Sequence, residues 1–141
     1  MAEETAAAVG CAPEEVLVAS TGVIGVALKI DRVVAGIHAA ARAMARGHGS
    51  DAARAIMTTD PFPKEHAATV QTPRGHLTVG GMAKGSGMIQ PNMATMLGFL
   101  TTDAKVSPAL LRQALQASAR DTFNAITVDG ECSTNDSLFA L

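Results

Sequence analysis

The chain has 141 residues, the length of one domain able to bury about two thirds of its unfolded surface. Apolar residues make up 48% and charged residues 17%, with 6 Pro and 13 Gly, which excludes the disordered, collagen-like and disulfide-scaffold classes. A net charge of −2, no basic run, 4 Phe and no Trp or Tyr leave neither the phosphate-binding surface nor the stacking platform of a nucleic-acid binder.

The acidic start Met1-Ala2-Glu3-Glu4 and the lack of any apolar run near ~18 residues predict neither a signal peptide nor a membrane anchor, so the expected location is the cytoplasm. Cys11 and Cys132 are far apart with no CxxC pattern and read as two ordinary thiols.

In chain order, Val16 to Ser20 reads as a strand leaving through the glycine loop Thr21-Gly22-Val23-Ile24-Gly25. From Asp31 to Arg46, the apolar residues Val33, Val34, Ile37, Ala40, Ala41 and Met44 recur at helical spacing, with Asp31 as N-cap and Gly47 as stop. Ser50 and Asp51 cap a shorter helix to Ile56 or Met57, and Thr58-Thr59-Asp60-Pro61-Phe62-Pro63 then forces a loop. Ala67–Thr72 and His76–Gly80 flank Pro73-Arg74-Gly75 as a hairpin.

The run from Gly80 to Leu97, with its glycines, Lys84 and several methionines, fits no ordinary helix. Thr95 to Thr102 is β-tolerant, and Ser107-Pro108 opens a helix to about Asp121. Ile126-Thr127-Val128 reads as a strand closing on Asp129-Gly130, and Ser133-Thr134-Asn135-Asp136 as a cap-rich loop before Ser137 to Leu141. Strands alternating with helices predict a mixed α/β region over residues 1–141. The apolar finish at Leu141 suggests a piece of a longer polypeptide.

Several constellations invite a chemical reading. Lys84 precedes Gly85-Ser86-Gly87, whereas a Walker loop places its Lys after the last Gly, and Gln90 stands where a dinucleotide fingerprint from Gly85 wants Gly or Ala. His38, His48, His66 and His76 form no ligand spacing, so no metal is expected. Asp129, Glu131, Asn135 and Asp136 lack the pattern of a calcium loop and read as a plain turn. Thr21-Gly22 could offer a hydroxyl and a backbone N–H to a developing oxyanion, although such a turn usually serves only to reverse the chain.

In Asn92-Met93-Ala94-Thr95, the Thr hydroxyl can attack the preceding carbonyl. The resulting ester hydrolyses to leave an N-terminal Thr carrying both a nucleophile and an amine base, whose reference pKa is about 7.7 to 8. By pattern alone a buried strand Thr remains the commoner reading.

Taken together, four blocks resemble the ornithine acetyltransferase family, also called bifunctional glutamate N-acetyltransferase, of arginine biosynthesis. They are Val16 to Gly25, Ala55-Ile56-Met57-Thr58-Thr59-Asp60, Ala83-Lys84-Gly85-Ser86-Gly87-Met88-Ile89 through Pro91-Asn92-Met93-Ala94-Thr95-Met96-Leu97, and Phe123 to Gly130 with Ser133-Thr134-Asn135-Asp136. Ser137 stands where the family often has Thr, and Cys132 falls inside the last block without breaking it.

The resemblance implies self-cleavage between Ala94 and Thr95, with 1–94 ending an α chain and 95–141 beginning a β chain of a heterotetramer. It further implies Thr95 as acetyl-accepting nucleophile, Thr21 and Gly22 as oxyanion hole, and Thr58, Lys84 and Thr95 as contacts of N-acetylornithine and glutamate. No cofactor or metal is implied, and acetyl-CoA stays open as a co-substrate. The implied fold is a layered α/β sandwich similar to N-terminal-nucleophile hydrolases, here an incomplete domain, because family members extend further at both ends. Two alternatives stand beside this reading: an amide hydrolase of the same nucleophile type, and an inactive fragment that needs the missing parts.

Overall fold

The structure is a computed structural model and describes residues 1–73, 75–89 and 96–141. The chain divides into two units, Met1–Gly49 and Ser50–Leu141. The mixed α/β class is as expected from the sequence.

The first unit is helical. Helix α1 (Ala2–Val9) opens with Glu3 and Glu4, whose charges suit the positive end of the helix dipole, and closes at Gly10, whose N–H returns to the Ala6 carbonyl at 2.8 Å. A 3-10 turn at Pro13–Glu15 follows, closed by Ala12 N–H donating to Glu15 Oε2 at 2.8 Å. Helix α2 (Ile30–Ala43) carries the predicted amphipathic face and packs against α1, with Glu4 Oε2 and His38 Nε2 3.1 Å apart. Its boundaries differ from the expected ones. Lys29 holds the N-cap position and Asp31 sits inside the first turn, where it serves the dipole instead of the cap. Met44 is already extended, so the helix ends before Gly47.

The strand expected at Val16–Ser20 does not form. Val16 has extended dihedrals, φ −100° and ψ 119°, but among the described residues this unit has no other strand to pair with it. Without a neighbour, extended backbone makes no ladder. Residues 16–29 accordingly run as irregular chain.

The second unit is built on a four-stranded sheet. Helix α3 (Gly49–Ala55) leads in, and Ser50 spends its hydroxyl on Glu65 Oε1 at 2.7 Å instead of capping the helix. Strands β1 (Lys64–Thr72) and β2 (Gly75–Lys84) form the predicted hairpin, longer than the sequence pattern because pairing extends from Thr72↔Gly75 to Lys64↔Ala83. Gly75 turns the chain at φ +120°, a conformation that L side chains resist.

Strand β3 (Leu97–Thr102) pairs antiparallel with β2, and β4 (Ser137–Ala140) pairs parallel with β3. A parallel neighbour requires a crossover, which helix α4 (Pro108–Asp121) supplies. It begins where Ser107-Pro108 predicts, with the Ser107 hydroxyl accepting the Leu110 N–H at 3.3 Å. Phe99 and Phe139, adjacent across β3 and β4, meet edge to face at 5.9 Å.

Ile126–Val128 is not a strand. A 3-10 turn at Phe123–Ala125 precedes it; Ile126 N–H closes that turn on the Phe123 carbonyl at 3.4 Å, and Val128 N–H reaches across to the Ile89 carbonyl at 2.7 Å. The N–H groups of Met88 and Ile89, which a ladder would need, are taken by the Asp129 carboxylate.

Candidate active site

Lys84 ends β2, opposite Leu97 of β3, which in turn lies beside Ser137 of β4. Met96 and Asp136 precede these last two residues, so Lys84, Met96 and Asp136 gather at one end of the sheet. Lys84 is 2% exposed, and among the described residues no carboxylate lies within ion-pair distance of its ammonium. Burying a charge without a partner is costly, and such sites concentrate at functional positions.

Beside Lys84 the chain turns at Gly85, whose N–H donates to Asp60 Oδ1 at 2.7 Å. The same oxygen accepts from Lys64 Nζ at 2.5 Å, and Asp60 Oδ2 accepts the Thr58 N–H at 3.3 Å. One carboxylate therefore ties the Thr58-Thr59-Asp60 loop to the end of β2. A hydroxyl contact between Thr59 and Ser86 at 2.8 Å adds a second tie. Burial raises the Asp60 pKa, but hydrogen bonds from Lys64, Gly85 and Thr58, with the Lys64 charge, outweigh it and hold the group below its ordinary value. An open groove of about 520 Å³ runs alongside, lined by Phe62, Lys64, Met82, Ala83 and Phe123 among others.

Two further carboxylates face this end of the sheet. Asp129 accepts N–H groups from Met88, from Ile89 at 2.9 Å and from Glu131 at 3.2 Å; the Met88 and Ile89 bonds are the main reason its pKa is lowered. Asp136 Oδ1 accepts the Met96 N–H at 2.7 Å. Its Oδ2 is buried with no hydrogen-bond partner among the described residues. Desolvation raises the Asp136 pKa, opposed by the Met96 bond, the nearby Ser133 hydroxyl and the charge of Lys84. That hydroxyl directs its own hydrogen bond to Asn135 Oδ1 at 3.3 Å.

Of the residues singled out from the sequence, Thr58 and Lys84 are thus brought to one place, joined through Asp60 and Gly85. Thr21 and Gly22 belong to the first unit, in its irregular chain, where Leu28 Cδ2 lies 3.8 Å from the position of a Cβ on Gly22. Ala94 and Thr95 lie outside the described residues. Asp60, Asp129 and Asp136 were not singled out by sequence reasoning as parts of a site. Asp60 stands within a noted block, but the partners of Asp129 and Asp136 lie about forty residues away, out of reach of any local pattern. Among the described residues no three His, Cys, Asp or Glu side chains are grouped as metal ligands, and no helix is long and apolar enough to cross a membrane.

A family model described as the ArgJ family matches residues 1–141. The chain is similar to the arginine biosynthesis bifunctional protein ArgJ of Symbiobacterium thermophilum, 59% identical over 141 residues, covering 100% of this chain and 35% of that protein. The protein of the same name from Chlorobium chlorochromatii is 54% identical over 136 residues, covering 96% of this chain and 32% of that one. That of Synechocystis is 54% identical over 129 residues, covering 92% and 31%. The chain thus spans about a third of the length of the curated relatives it matches.

Proposed function

Because the chain belongs to the ArgJ family, we propose that it carries the self-cleaving, acetyl-accepting segment of an acetyltransferase of arginine biosynthesis. The observation that supports this reading most directly is the buried Lys84 ammonium, which has no carboxylate within ion-pair distance among the described residues and stands beside the Thr58 loop. A fixed cation in a low-dielectric wall recognises the carboxylate that N-acetylornithine and glutamate share.

In the proposed maturation, the Thr95 hydroxyl attacks the Ala94 carbonyl, the peptide becomes an ester, and water splits it. Ala94 leaves as a carboxylate, and Thr95 gains a free amine. That amine then takes the proton of the Thr95 hydroxyl as the oxygen attacks the acetyl carbonyl of N2-acetyl-L-ornithine. Thr21 and Gly22 are the proposed donors to the tetrahedral oxyanion. Collapse, with the Thr95 ammonium passing that proton to the departing nitrogen, expels ornithine and leaves acetyl-Thr95. The glutamate amine attacks this ester, the Thr95 oxygen recovers its proton, and N-acetylglutamate departs. Acetyl-CoA serves as an alternative acetyl donor where the enzyme is bifunctional. In this reading the cytoplasmic enzyme pairs the α and β chains of one precursor, two of each.

The test uses the whole polypeptide. Wild type is expected as two chains whose masses place the cut between Ala94 and Thr95, whereas Thr95→Ala is expected to stay intact. Two chains persisting in Thr95→Ala would refute cleavage through this hydroxyl. Ornithine release that is independent of glutamate would point to an amide hydrolase instead.

A further inference from the structure

The two carboxylates set aside as a turn in the sequence hold backbone on opposite sides of the 90–95 stretch. Asp129 receives the N–H groups of Met88 and Ile89, and Ile89 is bound a second time through its carbonyl, which accepts from Val128 N–H at 2.7 Å and from the Thr127 hydroxyl at 3.1 Å. Met88 is the one non-glycine residue with positive φ among the described residues, at +57°. A left-handed methionine is strained and persists only where neighbours over-determine it. The Asp129 carboxylate is the group that does so here. On the other side Asp136 receives the Met96 N–H at 2.7 Å, and Met96 is bound again through its carbonyl by Ser137 N–H at 3.0 Å. Residues 89 and 96 are therefore each fixed at both their N–H and their C=O.

We propose that Asp129 and Asp136 are positioning residues that brace the backbone on the two flanks of residues 90–95, Met88–Ile89 on one and Met96 on the other, and that this bracing sets the rate of cleavage between Ala94 and Thr95. This rests on the reading of Ala94–Thr95 as the scissile bond. The physical requirement is geometric. An acyl shift needs its reacting atoms in near-attack arrangement, and a displacement of ~1 Å can cost about 10² in rate. Neither carboxylate is asked to touch the reacting atoms; each acts through the backbone it holds.

The acceptor count predicts a graded response that a general loss of stability would not reproduce. Asp136→Asn retains one oxygen for the single Met96 N–H and is expected to cleave within a few fold of wild type, whereas Asp136→Ala is expected to be slower by about 10². Asp129→Asn offers one oxygen to donors that now use two and falls between wild type and Asp129→Ala. Thr127→Val, which removes only the hydroxyl bond to Ile89, gives a milder slowing on the same flank. Asp103 supplies the control: its carboxylate accepts Thr78 N–H at 2.7 Å at the far end of the sheet, so Asp103→Ala removes a similar brace remote from residues 90–95.

The experiment is pulse-labelled translation of the whole polypeptide, following conversion of precursor to two chains on a denaturing gel, with melting temperatures of the purified products. The expected result is slow cleavage for both alanine variants, rescue by Asp136→Asn, and a normal rate for Asp103→Ala. If wild type cleaves between Ala94 and Thr95 while both alanine variants keep its rate, the brace is overturned and the scissile-bond reading survives. If Asp103→Ala slows cleavage as much as they do, the effect is global and the brace is likewise overturned. If wild type is not cut at this bond, both fall together.

Discussion

Replacing Asp60 with alanine removes the acceptor for three donors, and their surroundings set the cost. The Asp60 side chain is fully buried, and Gly85, whose N–H it accepts at 2.7 Å, is buried as well. That N–H would be left without an acceptor away from water, at about 1–3 kcal/mol. Lys64 keeps 34% of its side chain exposed and can turn to solvent, so its loss adds no more than ~1 kcal/mol. Thr58 N–H, at 3.3 Å and on an exposed residue, adds little. The expected sum is ~3 kcal/mol for Asp60→Ala. For Asp60→Asn, where one oxygen can still serve Gly85, it is ~1 kcal/mol.

The pH dependence has a definite sign. The folded-state pKa lies below the ordinary value of 3.8, so this contribution is fully present above that value and is lost as pH falls through the folded pKa. Urea unfolding of wild type and the alanine variant, from neutral to acid pH, should show a gap of ~3 kcal/mol that narrows in the acid toward the ~2 kcal/mol separating Asp60→Asn from Asp60→Ala, since a protonated carboxyl still offers an oxygen to Gly85. Taking the difference cancels the other carboxylates. Asp136 acts with the opposite sign, since its raised pKa makes the folded state bind a proton more readily and costs stability as pH rises between 3.8 and its folded value. An alanine variant within about 0.5 kcal/mol of wild type, or a gap indifferent to acid, would refute the assigned role of Asp60.

Lys84→Met, which keeps most of the side-chain length and removes the charge, should raise KM for both of the proposed amino-acid substrates by about 10- to 100-fold, with a smaller effect on kcat; steady-state kinetics of the whole cleaved polypeptide decide it. Thr21→Ala should lower turnover of folded, cleaved protein by about 10², and an unchanged rate would count against the proposed role of Thr21 as an oxyanion donor. Gly98→Ala should cost about 1–3 kcal/mol in thermal or urea unfolding, because its Cβ would lie 2.6 Å from Leu138 Cδ1 and 3.5 Å from Phe123 Cε1; adding Leu138→Ala should recover part of that loss.

Elements decided by short-range chemistry were legible in the sequence. Ser107-Pro108 opens α4 because a hydroxyl acceptor and a preset φ act within one turn, and Pro73-Arg74-Gly75 brings two β-prone runs together because the reversal is local. The apolar face of α2 was equally plain, although its caps moved by a few residues. The blocks around Thr58 and Lys84 were legible as candidate site residues by resemblance. Val16–Ser20 and Ile126–Val128 have the composition of strands, yet a strand exists only where another backbone offers its hydrogen bonds, and among the described residues neither pairs into a ladder. That Lys84 is buried was not legible, because its burial depends on the sheet closing around the end of β2. Asp129 and Asp136 looked like turn formers until the crossover through α4 carried them back to Met88, Ile89 and Met96. The Ser107 cap and the reversal between Thr72 and Gly75 depend on atoms a few residues apart, so sequence alone determined them, whereas Ser50 gave its hydroxyl to the distant Glu65. A buried charge, a paired strand or a carboxylate braced across forty residues depends on which distant segments share a wall, and only the tertiary structure decides that.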